Sequence, residues 1–132
     1  MKYILMMSTP KGGSYEIYSW PQKDVEAHTA YWKSLNTDLS KSGELVIVQG
    51  LTAPDQAKVM RAGKDGMPIT DGMFPESKEF LAGYWIVDVE TPERAYAIAS
   101  RASAAPGPGG EPLNMPIEVR QVMFTVRPEG LP

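Results

Sequence analysis

His28, the only histidine in a chain of 132 residues, is the side chain best suited to acid–base work. An imidazole titrates near neutrality, and a carboxylate partner can fix its tautomer and orientation. Two readings are open for it. It is a general acid or base, or it is a half-buried histidine satisfied by a backbone carbonyl or by Asp71. Asp71 precedes Gly72 at a chain reversal, where aspartate bonds its own backbone; the functional alternative is that it orients His28 or acts as a base on a ligand. Glu118 and Arg120, two apart on a strand, share one face. They form either a charged grip on a small polar ligand or ion pairs across a dimer interface. Tyr3, Trp32 and Trp85 are expected in the core, with Tyr3 or Trp85 also able to line a ligand cavity.

Other chemistries are poorly supplied. One histidine and no cysteine leave only carboxylates to complete a metal site, and no ligand spacing is visible, so no metal is expected. The absence of cysteine also removes a thiol nucleophile and a disulfide framework. The glycines at 12–13 and 107–110 lack the Lys-Ser/Thr or strand-to-helix context of a phosphate loop. No cofactor is therefore expected. A net charge of −3 with a pI near 5.1 argues against binding a nucleic-acid backbone. The run after Lys2 is too short for a signal-peptide core and nothing approaches a membrane span, so the expected location is the cytoplasm.

The elements that must carry these residues can be read in order. Residues 2–8 alternate as a buried strand, and YEIYSW at 15–20 is either a strand or an aromatic loop docking on the body. A helix is expected from Asp24, as its cap, to Ser42, with Gly43 in the left-handed position that ends it. His28 falls on the same stripe as Val25, Trp32, Leu35 and Leu39, which turns it inward. Strand 44–51 follows, then a hairpin over 56–71 with Gly63–Gly66 at its tip. Pro75–Leu81 suggests one or two helical turns, with Lys78 and Glu79 on a solvated face. Gly83–Glu90 is the strongest strand signal. Thr91-Pro92-Glu93 starts a second helix whose inner stripe is Ala95, Ile98, Ala99 and Ala102. The four prolines and three glycines of 105–116 exclude a regular element. A last strand is expected over Ile117–Val126, with a loose tail at 127–132.

The order β-α-β-(hairpin)-β-α-β predicts a single α+β domain over residues 1–132, a ferredoxin-like sandwich with an inserted hairpin. Both helices would cover one face of the sheet. Because the strands are apolar on both faces, the other face calls for a homodimer packing sheet on sheet.

Taken together, MKYILMM, EAHTAYWKSLNTDLSKSGEL, TDGMFPESKEFLAGYWIVDV, TPERAYAIA and SAAPGPGGEPLNMPIEVRQVM resemble the YCII-related superfamily, specifically its DGPF branch. The signature reads Asp71-Gly72-Met73-Phe74 here, and Gln121 stands where the branch often has proline. The resemblance implies a dimeric α/β-barrel of ferredoxin-like protomers. It implies that His28 occupies the position of a helix-borne histidine suggested to pair with an aspartate, the latter carried onto Asp71. It leaves the activity open. The expected function is small-ligand binding near His28 and Asp71; the alternatives are a metal-independent acid–base enzyme and an accessory partner of a sigma-factor-type regulator.

Overall fold

The computed structural model describes residues 1–10, 16–70 and 79–132. Strand β1 (Lys2–Pro10) leads to helix α1 (Gln22–Lys41) and strand β2 (Leu45–Gly50). The short strands β3 (Met60–Ala62) and β4 (Pro68–Thr70) pair only with each other, and β5 (Glu79–Asp88), α2 (Pro92–Ser103) and β6 (Ile117–Gln121) complete the order. The main sheet runs β2-β5-β1-β6, antiparallel throughout. This is the ferredoxin-like α+β arrangement, with the β3–β4 hairpin inserted before β5.

Alternation along the two central strands decides which face is covered. Tyr3, Leu5, Met7 and Thr9 of β1, with Trp85 and Val87 of β5, are buried. They meet Leu35 and Leu39 of α1 and Ala95, Ile98, Ala99 and Ala102 of α2 in one core. The alanine stripe lets α2 approach closely, as its small side chains suggest. Its start is also as expected: Thr91 Oγ1 accepts the Arg94 N–H at 3.2 Å, with Pro92 in the first turn. Arg94 in turn grips Glu44 at the head of β2 through two bonds of 2.8 and 2.9 Å. That guanidinium pulls the Glu44 carboxyl down to about 2.

The opposite face carries Lys2, Ile4 and Met6, with Ile4 opposite Ile86 and Met6 opposite Tyr84 in the β1–β5 register. Helices α1 and α2 pack on the other side; the chain after β6 borders this face at Lys2, Val46 and Ile86, and Val46 and Ile47 of β2 remain 44% and 40% exposed.

Several boundaries differ from the sequence reading. Helix α1 begins at Gln22, with Pro21 before it; Asp24 is a buried first-turn residue and not the cap. Residues 79–81 are strand, so Glu79 sits on β5 and not on a helical turn. Pairing extends that far because β1 continues past a bulge at Met7/Ser8, setting Thr9 opposite Phe80 and Pro10 opposite Glu79. Strand β6 stops at Gln121, short of Val126, because its neighbour runs out: Gln121 already faces Tyr3, and the Val122 N–H to the Lys2 carbonyl is the next bond. The ambiguous 15–20 stretch, from residue 16, is a docking loop with one 3₁₀ turn at Ile17–Ser19 and a buried Trp20. The hairpin is as expected, closing through Gly63 and Gly66. Pro75–Lys78 and the Asp71–Gly72 closure lie outside the described residues.

Helix α1 ends in a Schellman motif. The Glu44 N–H reaches the Leu39 carbonyl at 3.0 Å and the Gly43 N–H reaches Ser40 at 3.1 Å, with Gly43 at φ +78. A Cβ on Gly43 would meet nothing within 4 Å, so its requirement is purely conformational. Gly43→Ala should therefore cost roughly 1 kcal/mol, the left-handed penalty for a residue with a Cβ. Urea unfolding with an unchanged m-value is the check; a stability equal to wild type would refute the motif.

Candidate functional site

Three successive turns of α1 place His28, Trp32 and Asn36 one above the next, each four residues on. Their side chains, with Trp20 and Trp85, form a continuous aromatic ladder. The Trp20 and His28 rings lie 5.2 Å apart at 88°, His28 and Trp32 5.1 Å apart at 86°, and Trp32 and Trp85 5.1 Å apart at 48°. The first two contacts are edge-to-face, the arrangement that ring quadrupoles favour. Trp85 arrives from β5, and its indole N–H donates to Asn36 Oδ1 at 2.9 Å. Helix and sheet are thus joined by two indoles and an amide.

His28 is 1% exposed. Its Nδ1 lies 2.9 Å from the Pro106 carbonyl, and the Trp32 indole N–H donates to its Nε2 at 2.5 Å. An indole nitrogen only donates and a carbonyl only accepts. The tautomer is therefore fixed: Nδ1 carries the proton and gives it to Pro106, while the Nε2 lone pair receives Trp32. The carbonyl is available because of the loop around it. Pro106 and Pro112 form an isolated antiparallel bridge flanked by the bonds Gly107 N–H to Glu111 and Leu113 N–H to Ala105. In such a pair the central carbonyl points out of the ladder, here toward α1. Gly107 gives the Leu113 side chain its place there: a Cβ would meet Leu113 Cδ2 at 2.6 Å and push that side chain aside.

Electrostatics agree with this bonding. Burial pushes the His28 pKa below the ordinary imidazole value, opposed by the weaker effect of the Pro106 bond. A second proton would also turn Nε2 into a donor facing the Trp32 N–H. Asp24 lies one turn before His28 on the buried side of α1, where the sequence reading had spent it on capping. The backbone carbonyl that reaches His28 comes from a loop that no local pattern connects to α1; Asp71, the other candidate partner, lies outside the described residues.

The remaining candidates divide between the two faces of the sheet. Trp85 belongs to the ladder. Tyr3 is buried in the common core, two residues before the Leu5 that faces Trp85. Glu118 and Arg120 are brought together, Nε to Oε2 at 3.7 Å, but on the uncovered face and largely exposed, away from His28. Asp71 lies outside the described residues. Sequence reasoning placed Trp32 in the apolar stripe and overlooked its N–H, although an indole four residues after a histidine on one helix is a readable signal.

A histidine whose folded pKa is depressed takes up its proton more readily in the unfolded chain. Stability should then be full above about pH 6.5 and fall as pH drops below it toward the lower folded pKa. Unfolding midpoints between pH 7.5 and 5.5, where most carboxylates stay ionised, should show this loss in wild type and a flattened slope in His28→Gln. Equal slopes would contradict a neutral buried imidazole.

The match to known proteins covers most of the chain. The model of the YCII-related domain matches residues 1–109, which include β1, α1, β2, the hairpin, β5, α2 and the Pro106 loop. Comparison with curated proteins gives no match. On the strength of that span, this chain belongs to the YCII-related family.

Proposed function

We propose that this protein is a DGPF-type member of its family, a cytoplasmic homodimer that binds a small organic molecule against the Trp32–Asn36 end of the ladder. The observation that carries this reading is the way Trp32 is held. Its N–H is tied to His28 while the side chain stays only partly buried, so an indole face is fixed at the margin of the core. A preset aromatic plate with an adjacent amide suits a planar or partly apolar ligand carrying one hydrogen-bonding group. His28 is then the post that orients the plate, and Asp71 a candidate for the polar end of the ligand.

Acid–base catalysis is the second reading, favoured by the lowered His28 pKa, which keeps a neutral imidazole available as a base near neutrality. It requires a substrate to displace the Trp32 N–H from Nε2. Binding requires no such exchange, and the closed hydrogen bonding of His28 favours it. A thermal-shift screen of small aromatic and heterocyclic acids, amides and amines separates the two. Ligands of the proposed site should quench tryptophan fluorescence and lose at least about tenfold in affinity with Trp32→Ala. Ligands bound equally well by that variant would refute the site, and turnover abolished by His28→Gln would establish the second reading.

The dimer is inferred from the uncovered sheet face, where Ile4, Met6, Tyr84, Ile86 and Ile47 are left without a helical layer. Glu118 and Arg120 on its β6 side are equal and opposite charges two positions apart. A two-fold axis can therefore set each against the other's counterpart, as an isologous contact demands. Sedimentation equilibrium at micromolar concentration should give a dimer for wild type and a folded monomer for Ile4→Glu. A monomeric wild type would sink the sheet-on-sheet assembly.

A further inference from the structure

Beyond β6 the chain crosses back under the uncovered sheet face. It borders a half-open cleft of about 290 Å³ between Lys2, Val46 and Ile86 of the sheet and Val122, Val126 and Pro128 of the tail. The Val122 N–H holds the start of this strap to the Lys2 carbonyl of its own sheet at 2.9 Å. The two residues between Val122 and Val126 that do not line the cleft, Met123 and Phe124, are 91% and 73% exposed. An adjacent methionine and phenylalanine left this bare form an apolar hook contiguous with the face that lacks a cover.

We propose that the strap is a clamp between two copies of this chain, with Phe124 of each copy entering the cleft beneath the strap of the other. This rests on the sheet-on-sheet dimer proposed above and names the contact that secures it. A second copy is the occupant that fits the charges. The strap carries Arg127 and Glu129 two apart, repeating the arrangement of Arg120 and Glu118, so both charged pairs are complementary to themselves under a two-fold axis. The receptor has room for a phenyl ring: it is a half-open cleft of about 290 Å³, apolar at Val46, Ile86, Val122 and Val126, with Lys2, Arg127 and Glu129 also on its wall. The hook also adds area. Phe124 would bury roughly 150 Å², a useful share of the ~800 Å² per partner found in stable interfaces.

The test is sedimentation equilibrium of the full chain as wild type, Phe124→Ala and, as control, Tyr96→Ala, whose side chain is exposed on α2. Phe124→Ala should raise the dimer dissociation constant at least about 30-fold, the size of an interface hot spot, with circular dichroism unchanged; Tyr96→Ala should have no effect. The chain has no cysteine, so a mixture of Phe124→Cys and Val46→Cys proteins treated with a short bismaleimide should give a 1:1 cross-linked heterodimer. A dimeric wild type with an unchanged constant for Phe124→Ala, or with no cross-link in the mixture, overturns the clamp while the sheet-on-sheet dimer stands. A monomeric wild type overturns both.

Discussion

The His28 imidazole lies between two indoles, where burial disfavours its charged form, and the local architecture of this protein is built on partners for its two unlike nitrogens. Leaving a buried donor or acceptor unmatched costs about 1–3 kcal/mol, so both ring nitrogens of His28 need partners of opposite character. Pro106 supplies the acceptor and Trp32 the donor. The first bond ties α1 to the loop after α2, and the second fixes the ring that packs on Trp85 of β5. One small polar side chain thus coordinates three parts of the chain that are far apart in sequence. Isolated apolar packing would tolerate slippage between them; a ring with two distinct nitrogens does not.

The same residue has the properties of a catalyst and of a structural joint. The properties that make histidine a proton carrier, two unlike nitrogens and a pKa near neutrality, are those that make it a selective joint. Which property dominates depends on whether the Nε2 lone pair is open to a ligand. Here it is engaged by the indole N–H of the half-buried Trp32.

Most of the scaffold was legible in the sequence because each segment's local preferences agreed with its tertiary role. Thr91-Pro92 and Gly43 mark helix ends by backbone chemistry that owes nothing to distant neighbours. The inward turn of His28 follows from helical spacing alone. Failures occurred where an element's extent depends on its neighbour: β6 is five residues shorter than its apolar run, and β5 longer at its start, because β1 sets where pairing begins and stops. In the site, Trp32 was within reach of a spacing argument. The Pro106 carbonyl was not, since its direction is set by a bridge between two prolines in a stretch without periodicity. Asp24 was misjudged because a good capping residue type was taken for a cap, although the chain had already entered the helix at Gln22.

The register of β1 has a consequence for how this molecule comes to be folded. Tyr3 sits between Val87 on one side and Gln121 on the other, so the first strand made is an inner strand of the sheet that waits for the last. Until β5 is present, β1 has backbone donors and acceptors and apolar side chains without neighbours in the sheet, and its other edge waits for β6. Closing so long a loop before any ladder bond forms is entropically slow. Helix α1, with its own terminating motif, needs no such wait. The nascent chain is thus divided between a part that can order early and a strand that must be kept from other partners until the end, which places the hazard of misassembly at residues 2–10 rather than at the site.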